Sequence, residues 1–466
     1  MSSPFDDTPE SLVELRTTVM DWVKKSREAV LSFQRDDGSF WRDTKQYKVD
    51  EGNPDKSGSP TVTARSYTAL VAVGRCLEDI SVGEDDNWKE RFADFVKKEG
   101  RFRIADDKEE NKEIDSFIDP KSIGNGNKGN LNRFEVAHLA DFVLAADYIS
   151  RFFPDGKNLP KFKFFKGIDE SKFKSKLAKV LLKAFEDCKE KERDIAEEGE
   201  FLFDTDESES RHYFVTLHAL RALSILDAES QLEPEPFESL LNHTQQFCME
   251  QCFYTHRRIR HRQDTFRLAF AGVIYCLYAR SVDKQLCMAI IEALAEAQQE
   301  NGRWMSTHPI DRPGKGPWHI ASPEIALCLT WLYFQPRVPD AARVLLIDMM
   351  EKYFTRWVIP TFVRVTKSPN KGKAKERTFE GWYGDHTVER DSVIGWATAV
   401  ICHFLANYHA VLDDHINRRV IETLGLQASS KNYLIDETEH EKSPSWTRSV
   451  PKKGAKDPEK RPNLVV

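Results

Sequence analysis

Six stretches of this chain open with polar residues and then turn apolar on nearly every side. They are "SPTVTARSYTALVAVGRC" from Ser59, "NRFEVAHLADFVLAADYI" from Asn132, "SESRHYFVTLHALRALSIL" from Ser208, "DTFRLAFAGVIYCLYAR" from Asp264, "SPEIALCLTWLYF" from Ser322 and "ERDSVIGWATAVICHFLANY" from Glu389. A helix without a polar face needs neighbours on several sides, so these are expected as inner helices. Each follows a more amphipathic stretch, such as "RTTVMDWVKKSREAVLSFQ" or "KQLCMAIIEALAEAQQ", expected as an outer helix with one face to water. Six outer–inner pairs recur about 55 to 75 residues apart, the signature of a helical-hairpin repeat.

A single core rarely grows past about 250 to 300 residues, and this chain has 466, so a repeat wound about an axis fits its length. HEAT-type superhelices repeat every 40 to 47 residues or so, and the longer spacing here favours a closed ring. The expected fold is therefore all-α, an (α/α)6 toroid over residues 1–425. Residues 426–466 are polar and Pro-bearing, and are expected as an extended or disordered tail. Its isolated anchors, Tyr433, Leu434, Ile435 and Trp446, suit a segment that docks in grooves of its own ring or of a partner. Sustained period-two alternation is missing, so a sizeable sheet is not expected.

The net charge of -7 is spread over mixed-sign sequence, as on a water-facing surface. No run approaches the 18 or so apolar residues that span a bilayer, and "MSSPFDDTPE" lacks the order of a signal peptide, so a cytoplasmic location is expected. The eight cysteines are scattered through helix-like patterns and do not suggest a disulfide framework. Cys248 and Cys252 share a helix face, but a metal site needs two further ligands, and they read as core residues.

Two outer-to-inner turns carry a common pattern: Gln, three residues, Gly, one residue, then an aromatic. They are "QRDDGSFW" (Gln34 to Trp41, with Phe40 at the aromatic position) and "QQENGRW" (Gln298 to Trp304). Here the chain resembles the terpenoid cyclase and protein prenyltransferase superfamily, whose QW-type motifs end the outer helices of such toroids. Physically, the Gly tolerates a left-handed conformation, the Gln can pair with exposed backbone groups and the aromatic can pack across the turn. Trp41 and Trp304 are therefore expected to be structural.

In a closed ring the long outer-to-inner loops gather at one end, over the N-termini of the inner helices, where exposed N–H groups favour anions. The resemblance implies that the cyclases' DxDD acid corresponds to Asp204-Thr205-Asp206-Glu207, with Asp206 the proton donor beside Asp204 and Glu207. Glu207 departs from that motif, and acids before a helix also complement its dipole, so a purely structural reading stands beside it. The zinc-binding Asp-x-Cys element of the prenyltransferases is absent, and no metal or cofactor is expected. The next loop is basic, with His256, Arg257, Arg258, Arg260, His261, Arg262 and Arg267, and it either pairs with the acidic loop or grips a phosphate-bearing ligand. Trp318, His319, Trp382, Asp385 and Arg390 are expected at the rim of a pocket.

Three functions follow from these residues. The first is a noncatalytic toroid that binds a partner protein, through the loop face or the tail, or an anionic small ligand. The second is a cyclase acting on a prenyl diphosphate through Asp206. The third is a carbohydrate hydrolase, which requires two carboxyls about 5 to 9.5 Å apart. Nucleic acid is not expected, because one basic loop is not a basic stripe.

Overall fold

The computed structural model describes residues 8–35, 40–44, 60–76, 140, 143–144, 178, 182, 213–226, 228, 232, 234–254, 264–304, 321–367, 376–383 and 392–423. Its elements are α1 (Pro9–Ser32), α2 (Pro60–Cys76), α3 (Tyr213–Ile225), α4 (Pro234–Met249), α5 (Thr265–Tyr278), α6 (Lys284–Ala297), α7 (Ala321–Tyr333), α8 (Asp340–Tyr353), β1 (Phe362–Lys367), β2 (Arg377–Trp382) and α9 (Gly395–Thr423). Two π-helical turns, Glu250–Tyr254 and Phe354–Val358, prolong α4 and α8.

The inner–outer division follows the apolar pattern. Helices α3 and α5 bury almost every residue, whereas α6 buries Leu286, Cys287, Ile290, Ile291, Ala293 and Leu294, a stripe at helical spacing. Inner helices α3, α5, α7, α9 and α2 pack in that order, each against the next. Residues Ala140, Val143, Leu144 and Ala178 join the same core, so all six inner stretches contribute helical residues to it. The ring closes because α9 packs against both α1 and α2, with Arg16 of α1 2.6 Å from Asp413 of α9. The fold is an (α/α)6 toroid.

Three described turns into inner helices share one construction. After α1, Gln34 bridges Phe40, and the Phe40 N–H donates to Thr63 Oγ1 of α2 at 3.1 Å. After α6, Gln298 bridges Trp304, whose N–H donates to Ser322 Oγ of α7 at 3.0 Å. After α8, Phe362 pairs with Trp382, whose N–H donates to Thr398 Oγ1 of α9 at 3.4 Å. Each aromatic is thus tied by its own backbone to a hydroxyl in the first turn of the inner helix. Both tryptophans also donate their indole N–H to the outer helix they follow, Trp304 to the Leu294 carbonyl and Trp382 to the Val358 carbonyl, each at 2.8 Å.

The glutamines differ. Gln298 Nε2 donates to the carbonyls of Gly302 and Met349, as expected of a side chain that satisfies turn backbone, whereas Gln34 Nε2 donates to the Tyr67 hydroxyl. Gly302 has φ +85°, and a Cβ there would lie 2.4 Å from the Lys352 carbonyl oxygen. Gly302→Ala is expected to cost about 1 to 3 kcal/mol, read as a lowered thermal midpoint; an unchanged midpoint would show that the turn relaxes freely.

Among the described residues, the third turn holds the one sheet, a departure from an all-helical reading. Residues 358–388 read as loop, yet β1 and β2 form a two-stranded antiparallel hairpin with Phe362 opposite Trp382 and Lys367 opposite Arg377. "FVRVTK" and "RTFEGW" are too short for alternation to stand out, and their pairing depends on contacts with α1. Trp22 packs on Phe362 and Trp382, and Arg377 Nε donates to the Ser32 carbonyl.

Candidate functional site

Inner helices are apolar because they face one another, which makes their few charged residues conspicuous. Arg65 of α2, His218 of α3 and Glu324 of α7 belong to alternate inner positions and meet inside the ring. Arg65 Nη1 donates to Glu324 Oε1 at 2.8 Å, with side chains 7% and 0% exposed, and Arg65 Nη2 is 3.3 Å from His218 Nε2. Each residue falls within the first two turns of its helix, towards the end where the inner helices begin.

Aromatic rings surround this contact. The Arg65 guanidinium is 5.8 Å from the ring centres of Phe214 and Trp396, and Phe214 meets the rings of His218, Phe266 and Phe270 at 5.2, 6.4 and 5.7 Å. Phe214, Phe266 and Trp396 are only partly buried. Seven residues along α7 from Glu324, about 10 Å of helix, lies a second level. There the Arg221 guanidinium stacks 4.5 Å from the Trp331 ring, and Trp331 meets His218 and His403 edge-on at 6.3 and 6.5 Å. The Trp331 indole N–H is buried without a hydrogen-bond partner. Cys328, between the two levels on α7, has its thiol pKa pushed well above the usual value by burial, with Glu324 raising it and Arg221 and Arg65 opposing.

This cluster holds two guanidiniums, two imidazoles and one carboxylate. Stability alone is a poor reason for it, since well-packed apolar residues commonly match or exceed a buried ion pair. Buried, interacting ionisable groups within a ring interior instead mark a candidate binding site. Among the described residues no group of three or more His, Cys, Asp or Glu side chains is placed to hold a metal ion. Cys248 and Cys252 are buried core residues.

Most of the residues singled out from sequence, namely Asp204, Asp206, Glu207, His256, Arg257, Arg258, Arg260, His261, Arg262, Trp318, His319, Asp385 and Arg390, lie outside the described residues, as does the tail from 426. Arg267, grouped with the ligand-binding basic loop, is in α5, where its Nε lies 3.1 Å from Oδ2 of Asp264, the residue that caps the same helix. Trp382 is corrected from pocket rim to core. It is fully buried, because its indole fastens to Val358 and its ring is enclosed by Trp22 and Phe362. Of the axial residues, Glu324 stands in sequence at the end of a polar loop that either lines a pocket or covers the ring, whereas Arg65, His218, Arg221, Trp331 and His403 are not singled out by a search of the loops for chemistry. Their signal was present as charged and imidazole side chains inside stretches otherwise apolar on all sides.

No helix among the described residues is long and apolar enough to cross a membrane. No protein family matches the sequence, and no curated protein does. In shape the chain is similar to an inactive variant of the α-1,6-mannanase GH76A of Salegentibacter sp. HEL1_6, in complex with α-1,6-mannotriose. The TM-score is 0.46 at 10% identity, over 84% of this chain and 99% of that one, too distant to say what this chain binds.

Proposed function

We propose that this toroid binds a small anionic ligand within its ring, approached from the end where the inner helices begin. The observation that carries the reading is the gathering of the Arg65–Glu324 pair, the Arg221 guanidinium and two imidazoles in one interior walled by aromatic rings. A guanidinium in a low-dielectric interior attracts an oxyanion far more strongly than one in water does. The partly buried Phe214, Phe266 and Trp396 would cover the apolar body of such a ligand. Binding rather than chemistry is the reading because Glu324 Oε1 is already engaged by a hydrogen bond from the Arg65 guanidinium at 2.8 Å.

Calorimetric titration of the full chain with inorganic diphosphate, a prenyl diphosphate, a uronate-bearing oligosaccharide and a neutral oligosaccharide tests this. An anionic member should bind, and Arg221→Met should weaken it about 10-fold or more, the loss of one charge-assisted hydrogen bond. Equal binding of the neutral oligosaccharide, or affinity untouched in Arg221→Met, would sink the reading. Carbohydrate hydrolysis is the second reading, favoured by the placing of a carboxyl, Glu324, among aromatic rings. Release of reducing ends by the wild type, lost in a folded Glu324→Gln variant, would put it first.

A further inference from the structure

Away from the axis, two thiols from successive hairpins lie side by side. Cys276, two residues before the end of α5, and Cys287, in the first turn of α6, have their sulfurs 3.8 Å apart, and each is 1% exposed. They flank the short connection through residues 279–283, where Asp283 N–H donates to the Tyr275 hydroxyl at 2.8 Å and caps α6 through its side chain. The turn is therefore pinned from both sides, and the two sulfurs are held as near neighbours.

We infer that Cys276 and Cys287 form a paired-thiol modification site that a small hydroperoxide converts to a disulfide, stapling the fourth helical hairpin to the fifth. A disulfide requires sulfurs about 2.05 Å apart, so the two must approach by a little under 2 Å to close the bond. Cys287 is the attacking sulfur. Hydrogen bonding from the Cys276 thiol holds its pKa below the usual thiol range, aided by the nearby Arg343 charge and opposed by burial. Its thiolate displaces alkoxide, or hydroxide when the oxidant is hydrogen peroxide, from the peroxide oxygen and becomes a sulfenic acid. The Cys276 sulfur then attacks the Cys287 sulfur, the S–O bond breaks, and water leaves with the Cys276 proton. Two thiols and one hydroperoxide give one disulfide, one alcohol (or water) and one further water, a balanced two-electron exchange. Burial makes the site selective for oxidants small and uncharged enough to enter as the hairpins open locally.

The test treats the reduced full chain with hydrogen peroxide and, separately, with the larger glutathione disulfide, followed by denaturing thiol counts and non-reducing peptide mapping. Peroxide should remove two of the eight thiols and yield a Cys276–Cys287 cross-linked peptide, while glutathione disulfide should react at least 10-fold more slowly at this pair. In Cys276→Ser the cross-link should vanish, and Cys287 should instead accumulate sulfenic acid that is trapped by dimedone. Repeating the reaction in sub-denaturing urea separates access from geometry. If other cysteines are consumed there while Cys276 and Cys287 stay reduced, or if the cross-link joins Cys248 to Cys252, the inference is overturned.

Discussion

Glu324→Leu should lower the stability of the ring by about 3 to 5 kcal/mol, because it removes the carboxylate that the buried Arg65 guanidinium faces at 2.8 Å. Arg65 cannot discard its proton, and its side chain is only 7% exposed, so rotation into water is not open to it without loosening α2. The double variant Arg65→Met, Glu324→Leu should recover most of that loss, since the two charges vanish together and Met fills much of the volume. Chemical denaturation of the four members of the cycle reads both effects. A single variant within about 1 kcal/mol of the wild type would mean that Arg65 finds another outlet, and that the axial pair is dispensable to the fold. Recovery of stability with loss of the proposed ligand binding would instead separate the cluster's two roles.

Trp304→Ala carries a comparable penalty, about 3 to 5 kcal/mol, through a different cause. The indole is 1% exposed, packs 5.8 Å from Tyr353, and donates to the Leu294 carbonyl. Its removal opens a cavity and leaves a carbonyl at the end of α6 without that donor. Trp304→Phe retains most of the packing and forfeits the hydrogen bond, so it should cost less, nearer 1 to 3 kcal/mol. Denaturation midpoints of the two variants rank the contributions. Unchanged melting in Trp304→Ala accompanied by lost ligand binding would reassign this tryptophan from structure to function.

The ring was legible because its grammar is local. A stretch such as Thr265 to Tyr278 is apolar on every side, and the Gln298-to-Trp304 turn carries its own Gly, so helix type and boundary can be read without knowing the neighbours. The kinship of the Phe362–Trp382 turn was not legible, although it ties its aromatic to the next helix as the other two do. Its glutamine position is taken by Phe362 and its span is stretched into a hairpin, so only the hydrogen bond to Thr398 reveals it. The axial cluster was hidden for the opposite reason. Arg65, His218 and Glu324 are separated by 153 and 106 positions along the chain, and only the closure of the ring makes them neighbours. Each alone in its helix looks like an exception to an apolar pattern rather than part of a site. Trp382 was misplaced by a related error: an aromatic amid polar residues resembles a rim, while its pairing across β1 puts it in the core.

The seam between α1 and α9 also sets an order of events during synthesis. The buried face of α1, with Leu15, Val19, Val23 and Val30, packs against a helix that begins at Gly395, and the Arg16–Asp413 bond spans 397 residues. At ribosomal speeds of 5 to 20 residues per second, α1 emerges roughly 20 to 80 seconds before its partner. Through that interval the face of α1 that α9 will cover stays open, although α2 already packs against the helix, and successive hairpins must stack as an open arc with two unsatisfied ends. The arc becomes a ring only when the last helix arrives. The nascent chain, rather than the finished protein, is therefore the form in which this sequence is most exposed to aggregation and to chaperones.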